Sequence, residues 1–384
     1  ADLETVALLL QAVAAGLGFA AGGPMPRWPL LMKLEISNVC NLRCAMCDTF
    51  SALNPSRSRR LGEVERGFLD VSAAMEPLAP LLRHALAVRC SGLGEPTVHP
   101  RFREVIAWLS RYRVMVEFFT NGMLVDDELA GFLVAAGVHK VRFSLSGASR
   151  DDYEAVYLGG DFHKVLAGIR GLARAKAAAG SPYPVIGVNS LAFRHHAAAL
   201  DDFVGLMAAH GVEDIILQPL EEHAAIPAMA GHGGMDPAAA ERAAALAREL
   251  GVTLTVLPGC DAGARGGTGR PVPLGEFRSL ALSAAGRAAA GKAAAGRSGA
   301  DPLPRLDPAR GDADYLRLAL DLEPARDATV CLMPFEEIYV RRGGDVKPCC
   351  HADKQGVPLG SITRQDGGEI WRGHGFSAMR EAIL

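Results

Sequence analysis

Leu31-Met32-Lys33-Leu34-Glu35-Ile36-Ser37-Asn38-Val39-Cys40-Asn41-Leu42-Arg43-Cys44-Ala45-Met46-Cys47 joins a strand-like segment, Leu31 to Ser37, to three thiols spaced three and two residues apart. One short loop with that spacing can wrap so that each thiolate reaches a different iron of a cubane cluster. Such a cluster ordinarily takes four cysteines, one per iron. With no fourth cysteine nearby, one iron is left to bind something else. The competing reading is a structural zinc site, which wants four ligands, usually from two paired knuckles.

Outward from this stretch, strand and helix patterns alternate. Strands are expected at Leu31 to Ser37, Ala85 to Ser91, Val114 to Thr120, Lys140 to Ser146, Pro184 to Leu191 and Asp214 to Leu220. Helices are expected at Glu63 to Arg83, Arg101 to Arg111, Asp126 to Ala136, Phe162 to Ala179 and Ala197 to His210, with a seventh unit at Pro237 to Leu250 and Val252 to Leu257. Repeated βα units imply a parallel sheet with helices outside. Right-handed crossovers curl it into an α/β fold, a partial (β/α)6 TIM-type barrel. In such barrels the loops after the strands gather at one end. Here they are the cysteine loop, Ser91-Gly92-Leu93-Gly94-Glu95-Pro96, and Thr120-Asn121-Gly122.

Four regions are expected: an apolar N-terminal helix within residues 1–28, the barrel at 29–258, an Ala/Gly/Pro-rich insertion or linker at 259–328, and a small α+β hairpin cap at 329–384. The insertion is low in complexity, with little to bury. In the cap, Glu336 to Arg342 and Asp345 to Pro348 read as a hairpin turned at Gly343-Gly344. Short helices are expected around Glu369 to Trp371 and from Phe376.

Composition is that of a globular chain: 384 residues, 49% hydrophobic, 22% charged, formal net charge −3. The lack of a long basic run argues against a nucleic-acid surface. Val6 to Ala21 lacks a basic leader and is too short for a bilayer, so no membrane partner is expected. The absence of an initiator methionine at Ala1 implies a native start upstream. Eight cysteines without an export signal point to a reducing, cytoplasmic setting and to metal ligation.

The cysteine run, Gly92-Leu93-Gly94-Glu95-Pro96 and Thr120-Asn121-Gly122 together resemble the radical S-adenosylmethionine enzymes over roughly residues 29 to 258. Met46 stands where that family commonly has an aromatic residue, and Leu93 replaces a glycine. Cys331, twelve residues, Gly344, four residues and Cys349 resemble the opening of the family's C-terminal SPASM extension, or its shorter twitch form. Later cysteines of a full SPASM domain are absent, which favours the twitch form.

The resemblance implies that Cys40, Cys44 and Cys47 ligate a [4Fe–4S] cluster whose fourth iron chelates S-adenosylmethionine. Reductive cleavage would then yield a 5′-deoxyadenosyl radical that takes a hydrogen atom from substrate. Gly92, Gly94 and Glu95 suit the methionine end. Asn121, Ser144, Ser146, Asn189 and Gln218 are the other expected cofactor contacts. An auxiliary cluster is expected on Cys260, Cys331, Cys349 and Cys350, with His351 competing for a place. Cys90 is either a small buried side chain or a hydrogen-atom donor. His99 reads as a structural capping residue.

Lys33, Glu35, Glu117 and Arg142 either line a polar pocket or neutralise one another. The expected substrate is a sugar, an amino acid or a ribosomal peptide, with a one-electron donor such as flavodoxin or ferredoxin. A two-electron oxidation is the favoured outcome. Epimerisation with a cysteine donor and a non-catalytic electron carrier or redox sensor are the alternatives.

Overall fold

The computed structural model describes residues 27–54, 66–220, 233–257, 260, 337–348 and 358–383. The expected N-terminal helix, the low-complexity insertion and Cys331, Cys349, Cys350 and His351 lie outside them. The chain divides into two compact units. One contains residues 1–38, 67–117 and 301–384; the other contains 39–66 and 118–300. No helix among the described residues is long and apolar enough to cross a membrane.

In the first unit, β1 (Leu31–Leu34) pairs in parallel with β2 (Ala87–Cys90), Leu34 opposite Cys90. Helices α1 (Val71–Leu82) and α2 (Phe102–Leu109) lie in the same unit, and β3 (Met115–Thr120) begins there. Alternation gives the strands two different faces. Met32, Leu34, Val88 and Cys90 have no exposed surface. The opposite face carries two ion pairs, Lys33 with Glu337 at 2.9 Å and Arg89 with Glu117 at 2.7 Å. The charges at Lys33 and Glu117 are therefore matched within the protein.

Helix α1 starts at Val71, later than its apolar pattern predicts. Asp70 caps it by accepting from the backbone N–H groups of Ser72 and Ala73. Just before it, Phe68 bridges Ser37 antiparallel, and Leu69 N–H donates to Ile36. That extended pairing excludes helix through residues 67–69.

The C-terminal segment joins the sheet of this unit. β8 (Glu337–Val340) lies parallel to β1 on the side away from β2. It turns at Gly344, whose φ of 90° suits glycine, into antiparallel β9 (Asp345–Lys347). β10 (Gly360–Ser361) then pairs with β9. The hairpin expected at Gly343-Gly344 is present, with a partner strand that local sequence does not reveal. Helices α8 (Gly367–Arg372) and α9 (His374–Ile383) follow, and Arg380 lies 4.0 Å over the buried Trp371 ring.

In the second unit, β4 (Lys140–Ser144), β5 (Val185–Ala192), β6 (Asp214–Pro219) and β7 (Thr253–Val256) are consecutive parallel neighbours. Helices α3 (Asp127–Ala135), α4 (Arg150–Val156), α5 (Phe162–Ala178), α6 (Leu200–Ala209) and α7 (Pro237–Glu249) belong to this unit. Helix α4 and a 3-10 turn, Arg194–Ala199, add to the expected pattern. Arg142 pairs with Asp214 at 2.8 Å, and Lys140 pairs with the same carboxylate. A β-carbon at Gly187 would stand 3.2 Å from Arg142, so glycine leaves the guanidinium room to cross β5 toward β6.

Candidate functional site

The cysteine loop belongs to the second unit. Cys40, Cys44 and Cys47 are partly exposed and form no disulfide. Backbone N–H groups point at two sulfurs: Leu42 to Cys40 Sγ at 3.4 Å, and Phe50 to Cys47 Sγ at 3.3 Å. Burial raises the Cys47 thiol above its ordinary value, opposed by the N–H groups of Phe50 and Thr49. N–H donors to sulfur are a lever by which proteins tune thiolate-held metal centres.

The loop is held from behind. Arg43 N–H donates to Leu158 at 3.0 Å and Ala45 N–H to Val156 at 2.7 Å, tying it to the end of α4. Asn121 Nδ2 donates to Asn41 Oδ1 at 2.7 Å and lies 3.9 Å from Cys40 Sγ. Its Oδ1 accepts from Met123 N–H at 3.0 Å. The Thr-Asn-Gly segment thus braces the cysteine loop directly.

Helix α4 carries Tyr153, and Tyr157 caps its C-terminal end; the two rings stack with centroids 4.6 Å apart. Burial drives both phenols well above their ordinary range, so they stay protonated. Tyr157 Oη lies 3.1 Å from Ser146 Oγ, which also accepts from Leu191 N–H at 2.9 Å. Ser146 is therefore built into the scaffold. Ser144 stands opposite Asn189, and Asn189 Nδ2 donates to Gln218 Oε1 at 2.9 Å. These three predicted residues form one polar row across β4, β5 and β6. Asn189 Oδ1 is buried and makes no hydrogen bond among the described residues, so an acceptor is left for a ligand hydroxyl.

In the first unit, residues 91–96 are organised by Glu35. Its Oε2 accepts from Leu93 N–H at 3.0 Å and from Tyr339 Oη at 2.8 Å. A β-carbon at Gly92 would sit 2.5 Å from Glu35 Cγ, so glycine is required there. Glu95 is buried and its Oε1 accepts from Thr97 N–H and Oγ1, capping a 3-10 turn, Pro96–Val98. Gly94, between them, is half-buried. The organising role of Glu35 is not legible in its own neighbourhood; its partners lie on other strands.

Cys90 packs on the apolar face, opposite the Arg89–Glu117 pair, and burial pushes its thiol up to about 12. Cys260 is buried with its thiol 3.4 Å from the Leu217 carbonyl of β6. His99 caps as expected. Nδ1 accepts from Arg101 N–H and Nε2 lies 3.0 Å from the Leu69 carbonyl; burial lowers its pKa.

Residues 34–189 match the sequence profile of the radical SAM superfamily, and residues 331–383 match that of SPASM, an iron–sulfur cluster-binding domain. The chain thus contains a radical S-adenosylmethionine domain, a kind that takes a [4Fe–4S] cluster and S-adenosylmethionine, and an auxiliary iron–sulfur cluster-binding domain.

It is 30% identical over 183 residues to the mycofactocin maturase MftC of Mycobacterium ulcerans, covering 48% of this chain and 45% of that protein. It is 28% identical over 196 residues to the tungsten-containing aldehyde ferredoxin oxidoreductase cofactor-modifying protein of Pyrococcus furiosus, covering 49% and 51%. The chain spans about half the length of the curated relatives it matches. SuiB of Streptococcus suis, solved with S-adenosylmethionine, shares the fold with a TM-score of 0.60 at 11% identity, covering 92% of this chain and 68% of that one. A second SuiB structure holds the precursor peptide SuiA, with a TM-score of 0.58.

Proposed function

We propose that this protein is a peptide maturase. It would cleave S-adenosylmethionine reductively and oxidise a carbon centre in a ribosomally made peptide. The observation that carries the reading is the cysteine loop: three accessible thiols, backbone N–H groups aimed at two of their sulfurs, and a brace from Asn121. Likeness to MftC and to the SuiB complex with SuiA supports a peptide rather than a sugar.

In this reading Cys40, Cys44 and Cys47 hold the cluster, while Glu95, with Gly92 and Gly94, receives the methionine end of S-adenosylmethionine. Ser144, Asn189 and Gln218 receive its nucleoside, and Ser146 and Asn121 position the segments around them. When bound, the cluster and S-adenosylmethionine together supply a 5′-deoxyadenosyl radical. Cys331, Cys349 and Cys350, with Cys260, would hold an auxiliary cluster that accepts an electron from the substrate. A flavodoxin- or ferredoxin-class protein would supply the first electron. Full burial of Cys90 on the apolar face disfavours a hydrogen-returning epimerase.

The test uses anaerobically reconstituted protein with dithionite, S-adenosylmethionine and a short precursor peptide encoded beside its gene. Release of 5′-deoxyadenosine and methionine, with a peptide lighter by a pair of hydrogens, is expected. Solvent deuterium entering an otherwise unchanged peptide would replace oxidation by epimerisation. An intact cluster with neither product would leave an electron carrier.

A further inference from the structure

Three side chains outside the proposed cluster and nucleoside contacts come together in the second unit. Asp152 lies in the first turn of α4, and His195 and His196 lie in the 3-10 turn after β5. One ligand-capable atom from each falls within 4.8 Å of the others. The two imidazoles meet edge to face, with centroids 4.0 Å apart. From these positions, we infer that the two imidazoles and the carboxylate form a binding site for one divalent transition-metal ion, separate from the cysteine-held clusters.

The argument rests on His196. Its residue is only 6% exposed, and neither ring nitrogen makes a hydrogen bond among the described residues. A buried imidazole ordinarily finds a partner for each nitrogen. A metal ion satisfies a ring nitrogen that no described residue reaches with a hydrogen bond. Gly147, at φ 98°, keeps the approach open: a β-carbon there would stand 3.1 Å from His196 Nε2 and 2.6 Å from Asp152 Cβ. Asp152 is already oriented, because Ser149 Oγ donates to its Oδ2 at 2.7 Å, leaving Oδ1 for a cation. Ligating carboxylates are commonly held by such a second hydrogen bond.

Two nitrogens and one carboxylate oxygen suit zinc or ferrous iron, with further positions left for water. Calcium and magnesium, which prefer all-oxygen sets, are excluded. The site has a structural use. Asp152 lies in the first turn of α4, and Val156, whose carbonyl accepts the Ala45 N–H of the cysteine loop, ends it. An ion joining Asp152 to the 3-10 turn would fix the start of that helix, whose other end already holds the back of the cysteine loop.

Cobalt(II) is the probe, titrated into protein whose clusters have been reconstituted anaerobically so that the cluster cysteines are occupied. One equivalent is expected to bind with weak visible d–d absorption and no thiolate charge-transfer band. H196A and D152N should each abolish that uptake, and S149A should weaken it about 10-fold. Circular dichroism and the cluster absorption identify any variant that has not folded, and D152N, which keeps the side-chain shape, carries the test if H196A fails. No saturable uptake, uptake with thiolate bands, or uptake unchanged in folded D152N would each overturn the site. None of these readouts depends on S-adenosylmethionine cleavage, so the assignment stands or falls apart from the proposed catalysis.

Discussion

The phenol of Tyr339 donates to the carboxylate of Glu35 at 2.8 Å across 304 residues of chain, and the same oxygen accepts from Leu93 N–H. One carboxylate therefore ties the C-terminal strand β8 to the loop expected to receive the methionine end of S-adenosylmethionine. Tyr339→Phe removes a donor to a buried charge and should cost about 2 kcal/mol. Chemical denaturation of the purified protein measures it; an unchanged midpoint would show that Glu35 is held without the phenol.

Lys33 and Glu337 form a pair whose carboxylate side chain is 3% exposed. Lys33→Met should cost roughly 3 kcal/mol by leaving that charge uncompensated, and the double variant Lys33→Met, Glu337→Leu should recover most of the loss. Equal losses in single and double variants would show that the pair is not coupled.

Asn121→Ala removes the brace between the Thr-Asn-Gly segment and Asn41. Iron and sulfide content after gel filtration should fall, while circular dichroism stays near that of the parent. Full cluster retention through repeated air exposure would show that the brace is dispensable.

Changing Cys40, Cys44 and Cys47 together to Ala should leave residual iron and sulfide on the auxiliary site, and adding Cys260→Ala should lower it further. Iron falling to zero in the triple variant would remove the second cluster. Glu95→Ala should weaken S-adenosylmethionine binding, seen by equilibrium dialysis, with the cluster spectrum intact. Unchanged affinity would reassign the methionine end.

His99 gives a pH dependence of known sign. Burial holds its folded pKa below the ordinary 6.5, so the unfolded chain binds the extra proton first as pH falls. Stability is therefore full above about pH 6.5 and declines toward the depressed folded value. His99→Gln should flatten the thermal midpoint between about pH 7.5 and about pH 5.5 relative to the parent. Parallel curves would assign the slope to other groups.

The parallel strands and their order were readable because each is a short apolar run bounded by turn residues. β5, expected at Pro184 to Leu191, lies at Val185–Ala192. Alternation also fixed the face of Cys90, since Arg89 beside it must point the other way. Helix α4 was hidden by its polar, seven-residue sequence and shows itself only through the Ser149 cap. The pairing of β8 with β1 and the gathering of Asp152, His195 and His196 are products of distant chain contacts, which no local periodicity encodes. Asn121 and Gln218 were readable as polar residues at strand ends and Asn189 as one within β5; the bonds from Asn189 to Gln218 and from Asn121 to Asn41 were not.

Because β8 lies alongside β1, the C-terminal segment cannot be trimmed as a detachable accessory. Deleting it would bare a row of unsatisfied amides and carbonyls on β1 and would take the Tyr339 hydroxyl away from the Glu35 carboxylate, five residues before Cys40. Such a raw margin invites pairing with other chains. A shortened protein should therefore clump before its chemistry can be assayed.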